Sequence, residues 1–411
     1  MSDNFTTSVR LLLQRGVQLT NPTSVTIDPS VDVDRIAAGV IIHPGCRITG
    51  SRTSIGPGCV LGAELPVTLD NCQLGMQVML AGGYFSETTC LNQSRMGSGA
   101  HIRSGTLLEE ESSGAHTVGL KQTILFPYAI LGSLINFCDA LIAGGTSRQN
   151  HSEVGSSYIH FNYTPHQDKA TPSLIGNVSH GVMLDQPPVF LGGQGGLVGP
   201  AQVAFGAIVP AGLIVRSDIR ASGLFVPSVQ SRKTASHYQS GAYQSINRIV
   251  SNNLAYIGNV NALRAWYQHV RSSFLSADGF QTACLAGALE RIQTILNERV
   301  QRLHQLAGKM ARSLELAQSA PVKVNLDAQP FVQQKALIEQ WPMIHEQLIR
   351  LKDIEGDTEK RDNLLEALSR IPARTDYLNA VKSLNPEARA NGTAWLQSIV
   401  DTASALWNKV V

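Results

Sequence analysis

The amino-acid sequence predicts a β-solenoid of hexapeptide repeats followed by an all-α C-terminal region. Three observations carry this expectation. Aliphatic residues return every six positions through much of the first half, the composition changes near residue 240, and beyond it the apolar period becomes that of a helix. Residues 1–240 hold 29 of the 36 glycines and 13 of the 18 prolines but only 29 charged residues; residues 241–411 hold 7 glycines, 5 prolines and 35 charged residues. A turn-rich, charge-poor half joined to a charged, glycine-poor half marks a domain boundary.

Taken in order, residues 1–24 read as a helical lead-in and 25–226 as the solenoid. The six-residue step is seen in Met96–Ile102–Leu108, in Val203–Val209–Val215, and in the pairs Ile42–Ile48, Ile55–Leu61 and Ile124–Ile130. In such a coil three short strands make one triangular turn, the aliphatic of each hexad points inward, and the small residues behind it allow tight corners. The register fades over 64–95, 143–153 and 163–173, where loops are expected to leave the coil. The polar, aperiodic stretch Pro227–Tyr243 reads as a linker. From 244 to 411 two long apolar stripes follow, Ile246 to Phe274 and Leu285 to Leu314, then helices over about 329–353, 359–371, 374–384 and 386–409. The plainest expectation for this region is a bundle packed on itself; the functional one is a surface for a protein partner or a cover for the end of the solenoid.

Charged residues make up 16% of the 411, against a usual share of about 25%. Lys+Arg 33 and Asp+Glu 31 leave a formal charge of +2, no footprint for nucleic acid or an anionic membrane surface. The N-terminal stretch has only the apolar run Leu11–Leu13, so neither a signal peptide nor a spanning helix is expected, and the protein is read as cytoplasmic. Six cysteines, none in a CxxC pair, read as small core residues in a reducing compartment; Cys138 is singled out because it lies inside a candidate site.

Several stretches together resemble one family: LLLQRGVQLTNPTSVTID (11–28), IRSGTLLE (102–109), VGLKQTIL (118–125), GSLINFCD (132–139), HFNYTPHQDKATPSLIGN (160–177) and GPAQVAFGAIVPAGLIVRSDI (199–219). They are similar to the C-terminal, acetyltransferase half of the bacterial bifunctional N-acetylglucosamine-1-phosphate uridyltransferase/glucosamine-1-phosphate acetyltransferase, a left-handed parallel β-helix. The resemblance spans about half the chain and does not extend to that family's nucleotidyltransferase domain, so no uridyltransferase activity is expected. It implies acetyl-CoA or another acyl-CoA as cofactor, a sugar phosphate or nucleotide sugar as partner, and a homotrimer. Arg103 and Lys121 stand where the family places two cations on the sugar phosphate, with Lys169 as a third. One rung of such a solenoid holds about 18 residues in that family, which would stack the two on one face; a phosphate is well served by an Arg fork beside a Lys point charge. Asn162 and Tyr163 match a pair that contacts acetyl-CoA, and Ser156 and Ala211 fall at further cofactor-lining positions. The Gly-rich run 191–200 has neither the P-loop nor the dinucleotide fingerprint and reads as tight turns.

Departures from the family pattern carry as much meaning. Its catalytic histidine is Ser133 in this chain, its nearby tyrosine is Asn136, which is kept as a substrate-binding position, and its substrate-binding asparagine is Glu153. Deprotonating an amine near neutral pH suits an imidazole and not a hydroxyl. The candidate bases are therefore His151, His166 and Glu153. His160 lies in the same region. The spacing of 151, 160 and 166 does not suit a three-histidine zinc site, so no metal is expected. Two functions follow as expectations: an acyl-CoA-dependent acyltransferase on a sugar phosphate or nucleotide sugar, or a non-catalytic sugar-nucleotide-binding or scaffold protein.

Overall fold

The computed structural model describes residues 6–226, 239–319 and 325–408. Short parallel strands stack into two ten-stranded sheets and one eight-stranded sheet, visited in turn by the chain, so that each circuit is one coil of a triangular prism. The hexad residues form inward ladders. Ile42, Leu61, Leu80 and Met96 pair in succession in the first sheet. Ile48, Leu69, Phe85, Ile102, Leu120 and Phe137 do so in the second, and all of these side chains are buried.

A lead-in helix, Thr7–Gln14, adds Val9 and Leu12 to the solenoid core, and the first strand, Gln18–Leu19, lies inside the stretch read as lead-in. Over 64–95 the expectation is corrected: strands Val67–Asp70, Gln73–Leu74, Met79–Leu80, Gly83–Ser86 and Thr88–Cys90 keep the chain in the coil. Cys72, Phe85 and Cys90 are buried there in place of aliphatics. The corners are turned by Asn71, Gln77, Glu87 and Gln93, all with φ between 44° and 61°, a backbone region in which glycine is the ordinary signal. True excursions follow at the antiparallel pair Gly145–Ser147 and Asn150–His151, and between strands Ile159–Phe161 and Ser173–Ile175.

Over four of its strands the third sheet is apolar on both faces. In Leu107–Leu108, Ile124–Leu125, Leu141–Ile142 and Leu174–Ile175 the second residue joins the solenoid core and the first joins a separate core shared with the helices. Such paired aliphatics mark strands buried on both sides. Helices Asn247–Trp266 and Gly279–Gln318 lie over this sheet, and Gln329–Arg350, Thr358–Ser369, Tyr377–Ser383 and Pro386–Asn408 pack around them. The helical region thus neither folds only on itself nor covers the end of the prism: it covers one side. Of the linker read over 227–243, residues 227–238 lie outside the described residues.

Amides and glycine fit the two halves together. Asn252 and Asn253 donate to the backbone carbonyls of Pro200 and Ala170, and Asn259 accepts from Val178 N–H at 2.8 Å. A Cβ on Gly287 would lie 2.1 Å from Gln73 Oε1, so only glycine lets the long helix approach so closely. Asp278, Asp357 and Asp376 cap helix starts by accepting backbone N–H groups. Among the described residues no helix is long and apolar enough to cross a membrane, and all six cysteines are buried and free.

Candidate functional site

A prism has three corners, and the residues singled out in the sequence divide among them. The corner between the first and second sheets carries Ser133, Ser156 and Ala211. Ser133 N–H donates to Ser156 Oγ at 3.1 Å. At this corner the coils touch backbone to backbone: a Cβ on Gly132 would lie 2.7 Å from Ser156 N, and one on Gly192 only 2.3 Å from Ala211 N. Close stacking thus accounts for the Gly-rich run 191–200, without any phosphate cradle.

The corner between the second and third sheets gathers the cations. Arg103 follows strand Ala100–Ile102, and Lys121 ends strand Val118–Lys121 on the next coil. Lys121 pairs in register with Cys138, whose Sγ lies 3.4 Å from Arg103 Nη2 and 3.3 Å from Asn136 Oδ1. Burial pushes the Cys138 thiol upward and the neighbouring Asp139 adds to that, while Arg103 and Lys121 pull it down. The thiol is therefore a neutral marker of where two cations converge. Arg103 and Asn136 are exposed and Lys121 is half-buried.

The same corner is braced from the helical region. Arg299 of the long helix, buried, donates through Nη2 to Gln122 Oε1 at 2.8 Å and to Asp139 Oδ1 at 3.1 Å. Asp139 Oδ2 in turn accepts from Asn162 Nδ2 at 2.7 Å, and Asn162 Oδ1 accepts from Thr171 Oγ1 at 3.0 Å. Both ends of the Asn162 amide are thus held, and the adjacent Tyr163 stands 64% exposed. Lys169 is exposed in the same loop, beside the buried Asp168, which accepts from Tyr243 OH at 2.8 Å. Arg299 escaped the sequence reading, although a charged residue at a buried helical spacing, between Ile295 and Leu303, was a signal for it.

Two of the candidate bases lie elsewhere. His151 and Glu153 share the corner between the third and first sheets, with His151 Nε2 3.8 Å from Glu153 Oε2 and its Nδ1 2.7 Å from Arg148 O. His166 is packed between halves: its Nδ1 accepts from Gly241 N–H at 3.0 Å and its ring lies 4.3 Å from that of Tyr243. Burial lowers its pKa. It lines a cleft of about 890 Å³ with Tyr163, Arg248 and Phe331. His160 is buried against Phe137, 2.7 Å from Ser173 Oγ, and burial pushes its pKa down to about 4. Within one chain, then, Arg103, Lys121, Asn136, Asn162 and Tyr163 share a corner; His151, Glu153, Ser156 and Ala211 do not join them. Among the described residues no group of three or more His, Cys, Asp or Glu could hold a metal ion.

Comparison with known proteins agrees with the fold. The chain is 24% identical over 209 residues to the bifunctional protein GlmU of Thermotoga petrophila, covering 51% of this chain and 41% of that protein. It is 29% identical over 218 residues to GlmU of Pelobacter propionicus (53% and 42%) and 26% identical over 219 residues to GlmU of Synechococcus elongatus (53% and 43%). About half of the chain is GlmU-like. The chain spans less than half the length of these relatives, and the GlmU-like region is a partial one with a β-solenoid fold. No protein-family model matches the chain.

Proposed function

We propose that the protein is an acyl-CoA-dependent acyltransferase, with acetyl-CoA as donor, acting on a sugar phosphate or nucleotide sugar. The observation that supports this most is the convergence of Arg103 and Lys121 from adjacent coils near one sulfur, at 3.4 Å for Arg103 Nη2, because two cations at one spot suit a phosphate. In this reading Arg103 and Lys121 grip the phosphate, Lys169 approaches from the loop, and Asn136 meets a sugar hydroxyl. Asn162 and Tyr163 take the acyl carrier, with Ser156 and Ala211 lining its far end from the neighbouring corner. The acceptor attacks the thioester directly, and backbone N–H groups near Asn162 meet the developing oxyanion. The protein works in the cytoplasm as a homotrimer whose copies meet through the first or second sheet, since helices cover the third.

The test is thiol release from acetyl-CoA with glucosamine 1-phosphate and other amino-sugar phosphates, beside calorimetric titration with CoA and UDP-N-acetylglucosamine. Turnover that falls about 100-fold or more in Lys121→Ala, with an unchanged melting temperature, supports the reading. A second reading, a binding protein without turnover, is favoured by Ser133 in place of the family histidine and by the positions of His151 and Glu153 at another corner of the prism. Ligand binding with no thiol release on any acceptor would select it.

A further inference from the structure

We propose that the acceptor sits in a hollow over Gly119 on the outer face of the second sheet, and that His101 takes its proton. This rests on the acyltransferase reading above and supplies the base that reading lacks.

Alternate residues of a strand face the same side of a sheet. In the second sheet His101 pairs with Gly119, and Gly119 with Asn136; two residues further on, Arg103 precedes Lys121, which pairs with Cys138. The outer face therefore shows two rows: His101, Gly119, Asn136, and then Arg103, Lys121, Cys138. The cation pair and His101 are neighbours on one open face. Strands lie about 4.8 Å apart and alternate residues about 6.6 Å apart along a strand, so His101 and Asn136 stand about 10 Å apart across Gly119. Those spans match a hexose phosphate, with its phosphate on the cation row and its ring over the glycine.

Gly119 has no packing reason to be glycine. Its φ is not in the left-handed region, and a Cβ there would meet a single atom within 4 Å, the Ile135 carbonyl oxygen at 3.7 Å. The contrast with Gly132 and Gly192, whose Cβ atoms would strike the next coil at 2.7 and 2.3 Å, is plain. What the missing side chain leaves is space. His101 is held beside it: one face of its ring stacks on Tyr84 of the preceding coil, centroids 5.2 Å apart and planes 25° apart. The strand of Gly119 adjoins on the opposite side. An imidazole can take up a proton near neutral pH, which the serine at position 133 cannot.

The step balances. The lone pair of the acceptor's free amine or hydroxyl attacks the thioester carbonyl, a C–N or C–O bond forms, and the C–S bond breaks. The proton shed by the acceptor passes to the His101 imidazole and from there to the departing sulfur, which leaves as CoA thiol.

Three measurements on the full chain test this. Glucosamine 1-phosphate, the probe, is titrated while the His101 imidazole signals, assigned by their loss in His101→Gln, are followed by NMR. They are expected to move, and not to move in Lys121→Ala. Gly119→Val fills the hollow where the fold has room; it should keep the melting temperature and weaken probe binding at least tenfold. His101→Gln should bind the probe like wild type, lose about 10²- to 10⁴-fold in kcat, and lose the corresponding limb of the kcat–pH profile. Stationary His101 signals, wild-type binding by Gly119→Val, or an intact pH limb in an active His101→Gln each overturn the proposal and leave the acyltransferase reading standing. Probe binding at the hollow with no thiol release by wild type overturns the acyltransferase reading and the base role together.

Discussion

The second and third sheets of the prism are built from the same hexad, yet they treat charge in opposite ways. At the edges of the third sheet charges are buried and matched from the helical region. Arg271 pairs with Glu110 and lies 3.7 Å over the ring of Tyr377, and Arg299 holds Asp139. On the second sheet Arg103 and Lys121 face outward, and among the described residues neither is in an ion pair. A buried charge is costly unless matched, so the third-sheet charges are committed to holding two halves together. An outward cation with no carboxylate beside it keeps its donors for something else. The contrast separates architecture from function in a chain where both use the same residue types.

Removing a matched charge should therefore cost stability, and the largest effect falls on Arg271, whose side chain is fully buried. Arg271→Met leaves Glu110 buried without its cation and is expected to destabilise the protein by about 3–5 kcal/mol, read from denaturant unfolding. Arg103→Met, on the open face, should change unfolding by about 0.5 kcal/mol or less. Equal costs for the two would break the comparison.

Next in size is a pH effect at the same interface. Burial raises the Glu109 carboxyl from 4.5 to about 7, with Glu110 adding to the shift while Arg271 and the Tyr267 hydroxyl oppose it. The folded state then holds a proton that the unfolded state gives up at lower pH, so this group's contribution to stability falls as pH rises from about 4.5 to about 7. Glu109→Gln removes that dependence. It should match wild type near pH 4.5 and exceed it above pH 7 by on the order of 3 kcal/mol. A stability difference that stays flat across that window would show that Glu109 is not held protonated by the helices.

Much of this was legible beforehand. The hexad in Met96–Ile102–Leu108 was enough for the solenoid, because a period of six has no helical or simple strand explanation. The coil over 64–95 was hidden because Cys72, Phe85 and Cys90 fill it and non-glycine residues turn its corners. The stripes beyond residue 244 gave the helices but not their seat. Leu107–Leu108 and Ile124–Leu125 held that information as paired aliphatics, one for each core. At the site, Arg103 and Lys121 could be brought together because the resemblance supplied both their role and a rung of about 18 residues, which matches their interval. His101 and Gly119 lie at that same 18-residue interval, but a hexad marks inward positions and gives no reason to single out these outward ones, and the step from Gly119 to Asn136 is 17 residues and breaks the regular rung. Their meeting is a property of register, seen only once His101 is paired with Gly119 and Gly119 with Asn136.

The smallest expected effect sharpens the contrast within one interface. Arg52 bridges Glu87, at 3.1 Å, and Glu290 of the long helix, so it too joins solenoid to helices. Its side chain is 42% exposed, however, and those of its partners are 40% and 38% exposed. Water and salt screen such a pair, and ordering three long side chains offsets much of the attraction. Arg52→Ala should therefore cost less than about 1 kcal/mol, and the cost should shrink further in about 0.5 M salt, where the screening length is only a few ångströms. Arg271→Met should keep most of its cost in the same salt, because that pair is buried. If instead Arg52→Ala costs as much as Arg271→Met, then joining the two halves, rather than burial, sets the value of a charge at this interface. The absence of a carboxylate beside the open cations of the second sheet would then no longer mark them as kept for a ligand.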